Sequence, residues 1–83
     1  MTTFYYTTSN IQRKDNTIAR LASKHFDTEA EARAIYERKM AKPNVLSANL
    51  YRVDVYTPEE MVHPEKHPNG STYAKLLSTY SRI

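Results

Sequence analysis

The residues best placed by type and spacing to do chemistry are His63 and His67, four apart with Glu65 between them. On a helix, that spacing turns both imidazoles to one face, where they can chelate zinc. Pro64 and Pro68 argue against a regular helix at this point. The 83 residues contain no cysteine, no third ligand stands nearby, and only the fold could bring His25 close. The expectation is a solvated loop with no metal. The acidic residues Asp27, Glu29, Glu31, Glu59 and Glu60 gather at two expected helix starts, where capping and the helix dipole account for them. Using any two as a general acid and base would need a pocket that the pattern does not supply. No serine stands in a nucleophile elbow. Gly70 is the only glycine, which leaves no glycine-rich phosphate loop or dinucleotide fingerprint. These observations predict a protein that is not an enzyme and carries no cofactor.

What remains is binding. Between Arg13 and Lys24 stand four basic residues (Arg13, Lys14, Arg20 and Lys24) and one acidic residue, Asp15. That segment carries the whole net charge of +3. Ordinary solubility explains a charge of this size, and it speaks against a mimic of a phosphate backbone. Beside Tyr5 and Tyr6, the same segment could serve nucleic acid, with cations on phosphates and rings on unpaired bases. No recognised nucleic-acid motif accompanies it. Seven tyrosines and no tryptophan favour a protein interface, since tyrosine buries a large area and keeps a polar handle. The partner-binding candidates are Tyr5, Tyr6, Arg13, Lys14, Arg20 and Lys24, followed by Tyr73 and Tyr80.

The elements that would carry these residues form one domain, residues 1–83. Its centre is the stretch Phe26–Ala41. Thr28 and Glu31 have the spacing of a capping box, and Glu29 with Glu31 precede Arg38 with Lys39 in the order the helix dipole favours. Ala32, Ile35, Tyr36 and Met40 make one apolar stripe. Pro43 ends the helix. Before it, Thr3–Thr8 reads as a strand and Arg13–Asn16 as a hairpin turn. Residues 17–25 read either as a helix, with Ile18, Leu21, Ala22 and His25 on one stripe, or as a returning strand. The turn chemistry and the need for sheet partners favour the strand. Leu50–Thr57 alternates as a half-buried strand. Leu46, Ala48 and Leu50 stand in the opposite phase, so a bulge is expected near Asn49. Thr57-Pro58-Glu59-Glu60 opens a short helical turn, and 63–70 is a loop. Tyr73, Leu76, Leu77 and Tyr80, at i, i+3, i+4 and i+7, predict a C-terminal helix. It would be core or a docking element. The fold class expected is α+β: a small two-layer sandwich, ββαβ plus a C-terminal helix, with about three strands packed on one main helix.

A domain of this length buries only about 60–65% of its unfolded surface, so a partner or second copy would add stability. The first residues lack the basic and apolar regions of a signal peptide, and no apolar run approaches the roughly 20 residues of a membrane span. A soluble cytoplasmic protein is expected. The run Phe26-x-Thr28-x-x-Glu31-Ala32, after a short hairpin and before an Asn/Pro connection and a Tyr-x-Val-x-Val strand, resembles a pattern of small phage and mobile-element proteins, anti-CRISPR proteins among them. It covers residues 3–57. The resemblance implies stoichiometric binding to a host protein or defence complex. The expected function is therefore a phage-type accessory protein that binds and inhibits or modulates a larger host protein. The alternative is a direct nucleic-acid binder or transcriptional accessory using the basic hairpin. A homodimer is compatible with either.

Overall fold

The chain opens with a hairpin. In the computed structural model, which describes residues 1–82, β1 (Thr2–Gln12) returns as β2 (Ile18–Ala22) through the turn at Arg13–Asn16. Arg13 and Thr17 close that turn by a backbone hydrogen bond of 2.8 Å. Asn16 takes its left-handed position at φ 67, a conformation asparagine tolerates better than most residues. Residues 17–25 thus contribute a strand, as the turn chemistry predicts.

The helix α1 (Glu29–Ala41) follows. Thr28 caps it: its hydroxyl accepts from the Glu31 N–H at 3.3 Å and donates to the Glu31 carboxylate at 2.9 Å. At the other end the Lys42 N–H reaches the Lys39 carbonyl, one residue before Pro43. β3 (Val45–Tyr56) then inserts beside β1, and β4 (Ser71–Ser81) pairs on the far side of β3. The result is a four-stranded antiparallel sheet in the order β2-β1-β3-β4, with one helix against β1 and β3.

This corrects the expected ββαβ with a C-terminal helix and about three strands: the last element is a fourth strand. The reason lies in Leu77. β4 pairs Ser78 with Leu50 but Leu76 with Tyr51, leaving Leu77 as an extra residue. One extra residue shifts the phase of a period-two pattern, so Tyr73, Leu76, Leu77 and Tyr80 imitate helical spacing. The irregularity expected near Asn49 is found to either side of it: β3 has its extra residue at Leu46, and β4 has its own opposite Leu50 and Tyr51. β1 and β3 stay in register from Thr2/Val55 to Asn10/Ser47, and the shift comes beyond Asn10. Ala48 and Leu50 simply face the helix, whereas Tyr51, Val53 and Val55 face the other way.

The core lies between sheet and helix. Ala32 and Tyr36 from α1 meet Ala48, Leu50 and Val45 from β3, with Phe26 at the side. Arg82 ties this end together. Its guanidinium donates to the carbonyls of Pro43 and Met40 and to the Tyr80 hydroxyl, placing a cation at the C-terminal end of α1 as the helix dipole favours.

Helix and sheet differ in length. The 13 residues of α1 span about 20 Å. The 11 or 12 residues of β1, β3 and β4 span about 37–41 Å. The molecule accordingly measures 50 × 26 × 19 Å, and about half of the three-stranded part runs on past the helix. At the far end, residues 57–70 hold two 3-10 turns, Pro58–Glu60 and Pro64–Lys66. No helix among the described residues is long and apolar enough to cross a membrane.

Candidate binding face

Antiparallel pairing sorts every strand residue onto one side of the sheet. The helix side holds Ser9, Ala48 and Tyr80 in one row and Thr7, Leu50 and Ser78 in the next. The opposite side has no helix over it. Its rows are Thr2–Val55–Thr72, Phe4–Val53–Ala74, Tyr6–Tyr51–Leu76, Thr8–Asn49–Thr79 and Asn10–Ser47–Ser81. No position in these five rows carries Asp, Glu, Lys, Arg or His.

The two ends of this open face differ in chemistry. At one end the polar side chains bond across strands. Asn10 Nδ2 donates to Ser47 at 2.9 Å, Asn49 Nδ2 to Thr8 at 3.4 Å, and Thr79 to Asn49 Oδ1 at 2.7 Å. Satisfied in this way, these groups can be covered at little cost. At the other end stands an aromatic row. Tyr6 and Tyr51 stack with centroids 5.0 Å apart, and exposed His25 stacks on Phe4 at 4.1 Å and leans towards Tyr6 at 6.0 Å. Leu76 continues the row and is 49% exposed. Val53, although on this open side, is buried by its neighbours.

The candidates named from sequence do not converge. Tyr6 lies on the open face, and Arg20 joins its edge through the pairing of Asn10 with Arg20. Tyr5 points to the helix side, packs on the core and exchanges two backbone hydrogen bonds with Phe26. Arg13 and Lys14 are exposed in the hairpin turn. Their acidic neighbour Asp15 is held low by hydrogen bonds from the hydroxyl and N–H of Thr17. Lys24 lies over the Phe26 ring at 5.5 Å. Tyr80 packs on the core, and Tyr73 stands on the helix side, edge-on to Tyr56 at 5.6 Å. The face thus draws on Phe4, His25, Tyr51 and Leu76, which sequence reasoning did not select. Tyr51 was visible in the Tyr-x-Val-x-Val alternation, but only its pairing with Tyr6 gives it a role.

Chemistry elsewhere is sparse. Among the described residues no group of three or more His, Cys, Asp or Glu could hold a metal ion. His63 Nδ1 sits 3.3 Å from Glu65, while His25 is occupied with Phe4. Glu29 pairs with Arg33. Glu60 meets the Met1 amino group and accepts from the Thr57 N–H, and these lower its carboxyl to about 2. A shallow cleft of about 370 Å³ lies beside it between Tyr56, Met61, Val62 and Tyr73. Comparison with protein-family models, curated proteins and solved structures finds no match.

Proposed function

We propose that this chain is a non-catalytic binding protein that seats its open sheet face on an uncharged surface of a larger protein. The observation that carries this reading is the aromatic row of a face that carries no charged side chain on β1, β3 or β4 and has Arg20 only at its β2 edge. Depletion of charge together with enrichment of tyrosine and other aromatics marks the centre of protein interfaces. The hairpin cations Arg13, Lys14 and Arg20 lie at one end of the molecule, where they would steer the face towards an acidic rim. Binding of this kind modulates or blocks the partner by occupancy, the behaviour expected of a phage-type accessory protein.

Nucleic acid is favoured less. The rings of Tyr6 and Tyr51 stack on each other, which takes up one face of each ring. Apart from Arg20 at the β2 edge, the five rows offer no cation to a phosphate.

The test is affinity capture on the tagged protein from a bacterial lysate, with and without nuclease, followed by calorimetry with the recovered partner. A stoichiometric protein that survives nuclease and binds at least about tenfold more weakly to Tyr51→Arg is the expected result. Partners that vanish with nuclease, or equal binding by a folded Tyr51→Arg variant, overturn the reading. Reversing charge at Arg13, Lys14 and Arg20 should slow association more than it speeds dissociation.

A further inference from the structure

The two edges of the sheet are finished differently. Along β1, β2 covers Thr8–Gln12. Below it the chain between β2 and α1 continues the cover. Ser23 N–H donates to Thr7 O at 2.9 Å, Ser23 Oγ accepts from Thr7 N–H at 2.9 Å, and Tyr5 and Phe26 exchange bonds of 2.8 and 2.7 Å. β1 is thereby closed down to Tyr5. On the other edge, β4 lies outermost, and no described backbone segment pairs with the outer side of Ser71–Tyr80.

Edge strands are normally blunted by shortness, proline, bulges or charged side chains, lysine above all. β4 is 11 residues long, contains no proline or glycine, and carries one charge, Lys75. Its one irregularity, at Leu77, shifts its register with β3. Thr72, Tyr73, Ala74, Lys75 and Leu76 are all exposed, Tyr73 by 53% and Leu76 by 49%. This is also the part of the sheet that α1 does not cover; residues 60–62 of the connection flank it, beside Tyr56 and Tyr73.

We propose that β4 pairs antiparallel with β4 of a second copy of this chain, joining two four-stranded sheets into one of eight strands. A strand edge is complemented by another strand edge of similar length. Among the described residues the unpaired edges are the start of β1, the outer side of the five-residue β2, and β4, of which β4 is the longest; antiparallel pairing about a two-fold axis is self-complementary. Thr72, Ala74 and Leu76 turn their backbone groups outward, since Ser71, Tyr73 and Lys75 pair inward with β3. A two-fold axis near Ala74 sets Ala74 against its own copy and Thr72 against Leu76, and places each Lys75 opposite Tyr73. The two open faces then lie side by side on one surface. This inference is independent of what that surface binds.

Sedimentation equilibrium on the full chain tests it. The expected species at high concentration has twice the 9.6 kDa chain mass. Leu76→Lys, at the edge, should weaken the dimer at least about tenfold, and Tyr6→Lys, on a central strand of the open face, should leave it intact. Circular dichroism confirms that both variants fold. In the wild type, β4 amides should gain hydrogen-exchange protection as concentration rises. A monomer at every concentration overturns the proposal. So does a dimer that Tyr6→Lys breaks, which would mean face-to-face packing, or one that Leu76→Lys leaves unchanged.

Discussion

Asp54 shows how much a single side chain owes to its cross-strand neighbours. Its carboxyl is held below the usual carboxylate range, first by the Thr3 hydroxyl at 2.7 Å and then by Arg52 at 3.2 Å. Arg52 is raised in return, chiefly by its hydrogen bond to Asp54. Thr3 and Asp54 are directly paired on β1 and β3 but far apart in the chain, so nothing in the sequence links them. The sign of the pH effect follows. A carboxyl depressed in the folded state adds stability that is present above its unfolded value and lost as pH falls through its folded value. Thr3→Val should therefore raise the Asp54 carboxyl towards the ordinary aspartate range and shrink this acid-sensitive contribution. An NMR titration of the side-chain carboxyl carbon reads the shift. An unmoved titration would show that Arg52 alone holds the group down.

Among the elements, the β3–β4 connection depends on one glycine. Gly70 has φ +77, and a Cβ built there would lie 2.0 Å from the Tyr56 carbonyl oxygen. Both the left-handed backbone and the close approach require glycine. Gly70→Ala should cost more than about 1 kcal/mol, measured by urea denaturation, and loosen the start of β4 first. A variant as stable as wild type would mean that the connection is not held as described. The only glycine in the chain thus marks the entry to the strand that sequence periodicity assigns to a helix. The helix reading failed because periodicity records which residues are apolar and not how the strand is paired. With Leu77 as an extra residue, a strand reproduces helical spacing. The reading of α1 succeeded because its determinants are local: Thr28, Glu31 and Pro43 act within a turn of one another.

For the whole molecule, stability should be concentrated where the helix covers the sheet. Leu50 is fully buried between α1 and its sheet neighbours. Leu50→Ala should cost about 2–5 kcal/mol through lost transfer energy and the cavity left behind. A loss under about 1 kcal/mol in urea denaturation would show that the helix layer is not the main source of stability. The other half of the sheet has no helix above or below it. Its stability draws on strand pairing and on rows such as Phe4–Val53–Ala74 and Tyr6–Tyr51–Leu76, which a partner on the open face or at the β4 edge would cover further.

The sequence by itself determined the hairpin turn at Arg13–Asn16, the limits and caps of α1, the alternation of β3 and the concentration of charge on the hairpin. Each of these depends on residues within a few positions of one another. Only the tertiary structure decided that residues 71–81 extend as β4 and that Tyr5 and Tyr80 belong to the core. It alone placed Tyr6 and Tyr51, with Phe4 and His25 beside them, on one open face. β3 has two edges of backbone donors and acceptors; β1 pairs with one and β4 with the other. Which side chains then become neighbours is set by cross-strand register, a relation between distant residues that no local pattern encodes.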